Sequence, residues 1–173
     1  LSEAAGQTAG QFIIDKGYKS VLFVMGDKNS DKISIRRAIG LKSVLDSNSA
    51  KLDFLTGITC FEKGHLVVEE LLKNKSYPDL LLCTNNFIAL GCIQRLQSKG
   101  FSIPRDIALM TFDEYPFAPF VEPALTSIEM NMFDLGWQAA EFIIRKLDNP
   151  NATIQSFCTN PVLIERASTN GSV

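Results

Sequence analysis

The sequence predicts an α/β fold, a parallel sheet flanked by helices on both faces. Two observations carry this expectation. Helix-type and strand-type patterns alternate in four successive units between Ala4 and Phe112, the rhythm of a sheet built by helical crossovers. The strand-type runs Val21 to Met25 and Leu80 to Cys83 are continuously apolar rather than alternating, as strands covered on both faces are.

The elements follow in order. Ala4 to Lys16 carries Ala5, Ala9, Phe12 and Ile13 on one helical face and stops at Gly17. Val21 to Met25 is the first strand and ends at Gly26. After a polar loop from Asp27 to Lys32, Ile33 to Ser47 reads as a helix with Ile35, Ile39, Leu41 and Val44 roughly on one side. Phe54 to Ile58 is a weaker second strand, and His65 to Lys73 the next helix. The turn signal Tyr77-Pro78-Asp79 introduces the third strand, Leu80 to Cys83. Asn86 is placed to cap a helix from Phe87 to Lys99, which Gly100 ends. Ile107 to Phe112 is the fourth strand.

Beyond Asp113 the rhythm changes. An aromatic, Pro-rich loop runs from Tyr115 to Pro123, Leu125 to Glu129 reads as a short strand, Phe133 to Leu147 as a long helix, and Val162 to Ile164 as a last strand. The long helix carries Phe133, Trp137, Ala140, Phe142 and Ile143 on more than one side. That is more apolar surface than one lobe covers, so a partner chain, a fold-back or further protein is expected against it.

Composition narrows the classes. The 173 residues suffice for one compact domain or two small lobes, and the net charge of -2 comes without any basic block. Contact with nucleic acid is therefore expected only outside this chain. No apolar run reaches the roughly 18 residues of a membrane span. Leu1 to Ala4 shows no signal-peptide pattern, and the missing initiator methionine makes a fragment the expectation. Cys60, Cys83, Cys92 and Cys158 have no CxxC spacing and lie in or near apolar segments. They are expected as buried free thiols of a reducing, cytoplasmic setting.

No catalytic motif is present: no Gly-rich phosphate loop, no GxSxG elbow and no HExxH. His65, the only histidine, sits at a helix start with no partner for a triad or a metal site. Neither an enzyme nor a cofactor is expected.

In open α/β sheets, ligands bind beyond the carboxyl ends of the strands. Those ends offer Met25-Gly26, Cys60-Phe61, Thr84-Asn85-Asn86 and Phe112-Asp113-Glu114. Each residue also fits a plainer role: Asn86 as a helix cap, Asp113 as a solvated loop carboxylate, Phe61 as a core aromatic. Together an amide, a carboxylate and a ring suit a sugar, whose adjacent hydroxyls pair with planar polar groups while its apolar face stacks on the ring.

Five segments resemble one family. Asp79 to Gly91, DLLLCTNNFIALG, looks like the PDA-x-x-A-x-ND stretch of the LacI-type repressors and their periplasmic sugar-binding relatives. Gly100 to Glu114 resembles the family's run from G-x-x-(I/V)-P to (F/Y)-D-(D/N). Pro123 to Ile128, Arg37 to Leu41 and Leu163 to Ser168 resemble its P-x-LT, R-x-x-GF and L-x-x-R-x-S motifs. All stand in family order.

The resemblance implies a periplasmic-binding-protein-like fold and nominates Arg37, Asn85 and Asp113 as effector contacts. Phe61 is the nearest candidate for a stacking aromatic. It further implies a second effector lobe over residues 1–113, a crossover over 114–127, a first-lobe helix segment over 128–148, and a return strand and tail over 149–173. The helix-turn-helix and most of the first lobe lie outside this sequence. The implied function is effector binding in a cytoplasmic, homodimeric repressor, with operator DNA held by a region outside this chain. A periplasmic sugar-binding protein of a transporter is the alternative; the four unpaired cysteines favour the regulator.

There are departures. Asn86 replaces the family's usual Asp, Thr111 its Gly, and Met130 a ligand-contacting Gln. Arg37 retained while that carboxylate is lost tilts the expected effector toward a sugar acid or sugar phosphate.

Overall fold

The computed structural model describes residues 1–151, 153 and 158–170. It contains α1 (Ser2–Asp15), β1 (Ser20–Val24), α2 (Lys32–Leu45), β2 (Lys51–Leu55), α3 (Phe61–Asn74), β3 (Leu80–Cys83), α4 (Asn86–Ser98), β4 (Ala108–Phe112), β5 (Thr126–Glu129), α5 (Met132–Asp148) and β6 (Val162–Ile164). The strands form one sheet in the order β2-β1-β3-β4-β5-β6. All neighbouring pairs run parallel except β5 and β6, which are antiparallel.

The apolar runs sort to the two faces as the two-residue strand period requires. Val21, Phe23, Leu80, Leu82, Met110 and Phe112 pack under α1 and α2 with Phe12, Ile13, Leu41 and Leu45. Val24, Leu81, Cys83 and Leu109 pack under α3 and α4 with Val67, Val68, Ile88 and Ile93. The helices change faces between β1 and β3, so a crevice opens beyond the carboxyl ends of those strands.

Two boundaries differ from the sequence reading. The second strand is Lys51–Leu55, three residues earlier than Phe54 to Ile58. It is an edge strand whose residues are all half-buried or exposed, so hydrophobicity marked it poorly. Ile58 is buried instead in the following turn, where its N–H bonds the Met25 carbonyl. The third helix begins at Phe61 rather than His65. Gly64 hid that first turn, because glycine is a poor helix former. Here it permits contact: a Cβ on Gly64 would lie 2.6 Å from the Ile88 carbonyl oxygen, and one on Gly91 2.1 Å from that of Phe61.

The closing motif around Leu163 to Ser168 is structural. Arg166 grips both carboxylate oxygens of Glu114, at 2.6 and 3.1 Å, and the Leu125 carbonyl at 2.7 Å. Ser168 donates to the Leu109 carbonyl at 2.6 Å and accepts the Thr126 N–H at 2.9 Å. The tail is thereby stitched to β4 and β5.

Helix α5 buries none of its residues; Phe133, Trp137, Ile143, Ile144 and Leu147 are exposed. Of the three covers expected for its apolar surface, folding back onto the lobe is not what the structure adopts. Three cysteines are buried or half-buried and all four are free, but Cys158 is exposed, contrary to the expectation of burial. It lies between the end of α5 and β6, away from both cores.

Candidate functional site

Arg37, Asn85 and Asp113 come from three elements and meet in one cleft of roughly 730 Å³. Arg37 projects from α2 and is buried. One terminal nitrogen donates to the Thr84 carbonyl at 3.1 Å, the other to the Asp113 carboxylate at 2.6 Å. Its guanidinium lies 4.6 Å from the centroid of the Phe112 ring, within cation–π range. The strand ends β3 and β4 thus fix the charge at the floor of the cleft.

Asp113 follows β4 with φ +66°, a left-handed conformation uncommon for residues other than glycine. Its side chain is 35% exposed, so the carboxylate reaches both Arg37 and the open cleft. Asn85 is the cap of α4: its Oδ1 accepts the Ile88 N–H at 3.0 Å. The sequence reading had given the cap to Asn86, one residue too late. Asn86 is instead fully buried, and its amide donates to the carbonyls of Phe112 at 3.3 Å and Asp113 at 2.7 Å.

Phe61 does not join the other three. It opens α3, packs edge-on against His65 at 5.0 Å and lies outside the residues lining the cleft. The rings that do line it are Tyr115 and Phe133. His65 faces Gln94 at 2.8 Å, also away from the cleft.

Several lining residues escaped the sequence reading, among them Ser34, Tyr115 and Glu129. Ser34 stands one helical turn before Arg37 and is hydrogen-bonded to the Thr84 hydroxyl; the three-residue spacing is a signal that was available. Tyr115 and Glu129 gave none, because loop and strand-end side chains take their direction from tertiary placement. Glu114 lines the cleft too, but its charge is matched by Arg166. In all, the lining side chains hold four carboxylates, Asp31, Asp113, Glu114 and Glu129, and one cation, Arg37. Among the described residues, no cluster of three or more His, Cys, Asp or Glu could hold a metal ion.

A family model, the periplasmic binding protein-like domain, matches residues 11–169. The chain belongs to that family. Among curated relatives of this periplasmic binding protein-like domain is the ribose operon repressor of Haemophilus influenzae, 27% identical over 170 residues, covering 96% of this chain and 51% of that protein. A LacI-family transcriptional regulator from Silicibacter pomeroyi superposes with a TM-score of 0.89 at 24% identity, covering 98% of this chain and 52% of that one. A LacI-family regulator from Enterococcus faecium, solved with bound ribose, gives a TM-score of 0.88 at 24% identity, with coverage of 96% and 62%. The domain is homologous to LacI-family repressors, and it spans about half the length of the curated relatives it matches. Among the described residues, no helix is long and apolar enough to cross a membrane.

Proposed function

We propose that this chain is the effector-binding part of a LacI-type transcriptional repressor and that its effector is a neutral sugar. The observation that carries the reading is the convergence of Arg37, Asn85 and Asp113 at the carboxyl edge of the sheet. The Asp113 carboxylate accepts sugar hydroxyls, the Asn85 amide donates to them, and Tyr115 or Phe133 takes the stacking role first given to Phe61.

Neutrality follows from charge. Arg37 is already matched by Asp113, and the other charged side chains lining the cleft are carboxylates. A phosphate or sugar acid would meet net negative charge in a partly desolvated site. On this side of the cleft, the count favours a neutral sugar over the acidic ligand that Arg37 alone suggested.

The remainder of the repressor supplies the opposite wall of the cleft and the DNA-binding heads. Sugar binding closes the lobes and shifts the heads between operator-binding and non-binding states. The protein acts in the cytoplasm as a homodimer and catalyses no reaction. The transporter alternative loses ground because the curated relative named above is a repressor.

Thermal-shift measurements on the full-length protein with neutral pentoses and hexoses, sugar acids and sugar phosphates test the proposal. Stabilisation by neutral sugars supports it; stabilisation confined to the anionic set overturns it.

A further inference from the structure

We propose that Asn86 is a positioning residue for the cleft. Its buried amide grips the carbonyls of Phe112 and Asp113 and so holds Asp113 in the backbone conformation that presents its carboxylate. The inference rests on reading the cleft as the effector site.

Asp113 is clamped on both sides. Its N–H bonds the Ile128 carbonyl at 2.9 Å, and its own carbonyl receives the Asn86 amide at 2.7 Å. A residue other than glycine persists at φ +66° only where its surroundings over-determine it, and these two bonds are that determination. Asn86 in turn is fixed by the first turn of α4, which Asn85 caps. The two adjacent asparagines thus divide the work: one completes the helix, the next reaches across to β4.

The residue type is selected for its donors. Asn86 Oδ1 is buried and has no hydrogen-bond partner, a cost that only the opposite end of the amide offsets. Asparagine supplies two protons from one nitrogen to two carbonyl oxygens. Aspartate has the same shape but, when ionised, sets acceptor oxygens against those carbonyls. The family residue at this position is therefore the wrong chemistry for this chain. Loss of the grip lets Asp113 relax out of the left-handed region, and the 2.6 Å contact with Arg37 goes with it.

The test uses the full-length protein, D-ribose as calorimetric titrant, and amide hydrogen exchange without ligand. Asn86→Ala is expected to weaken ribose binding by about tenfold or more, and Asn86→Asp at least as much. In an Asp113→Ala background, Asn86→Ala should add no more than about twofold, because it acts through that carboxylate. Without ligand, Asn86→Ala should speed exchange at the Asp113 amide by about tenfold while Leu109 to Thr111 stay protected. Wild-type affinity in Asn86→Asp, additive effects in the double variant, or faster exchange through all of β4 would overturn the proposal. The two Asn86 variants are read separately, so misfolding of one leaves the other to decide. If the wild-type protein fails to bind ribose, the neutral sugar that stabilises it most replaces ribose as titrant; if none binds, the effector reading is what falls, and the exchange pattern decides the role of Asn86.

Discussion

Replacing Gly40 by alanine should loosen the whole α1–α2 layer. A Cβ at Gly40 would sit 1.9 Å from the Glu3 carbonyl oxygen and 2.8 Å from its carbon; one at Gly6 would sit 2.0 Å from the Arg37 oxygen. The obstacle is backbone on both sides, so no side chain can swing away. Normal carbon–oxygen contact is about 3.3 Å or more, so the helices must part by more than about 1 Å. Overpacking costs about 1–3 kcal/mol, and a backbone clash belongs at the upper end. Alanine returns about 1 kcal/mol through its better helix propensity. The net loss is about 2 kcal/mol, or a Tm fall of about 4–8 °C for a chain of this size. Gly136 in α5 is the internal control, because a Cβ there meets nothing within 4 Å. Gly136→Ala should be neutral or gain up to about 1 kcal/mol. Urea unfolding followed by circular dichroism reads both. Equal stability of Gly40→Ala and wild type, or equal losses at the two sites, would refute the reasoning.

Arg166→Ala should cost on the order of 3 kcal/mol in urea unfolding, because it strands the largely buried Glu114 carboxylate; pairing it with Glu114→Gln should recover part of the loss. Trp137 is 63% exposed, so iodide should quench its fluorescence readily in this chain alone. Quenching should fall in the full-length protein, where the missing wall of the cleft covers α5, and equal quenching in both would contradict that cover. Tyr18 has its pKa raised, first by burial and then by the carboxylates of Glu165 and Asp79. Its share of stability is therefore complete below about pH 10 and lost as the pH climbs through the raised value; alkaline unfolding of Tyr18→Phe should lack that component. Cys158 should react with a maleimide in the folded protein while Cys83 and Cys92 wait for unfolding, which peptide mass mapping resolves.

The sheet and its helices were legible because the strands under two helix layers, β1, β3 and β4, are largely apolar, and the sequence displays that directly. The edge strand β2 was misplaced because its exposed Lys51 and Asp53 look like loop. Asn85 and Asp113 could be picked out because strand ends are fixed by topology, whereas Arg37, on α2, was nominated by its motif alone. Phe61 could not be judged, since its direction depends on α3 beginning one turn earlier than Gly64 suggested. Asn86 was read as a cap from local spacing; only the approach of β4 to α4 reveals that its partners are 26 and 27 residues away.

The most direct test of the sugar cleft is a crystal structure of the full-length protein with the neutral sugar that stabilises it most. Expected are ring hydroxyls within hydrogen-bond distance of the Asp113 carboxylate and the Asn85 amide, with Arg37 still paired to Asp113. A sugar bound elsewhere, or one whose hydroxyls touch neither residue, would contradict the assignment.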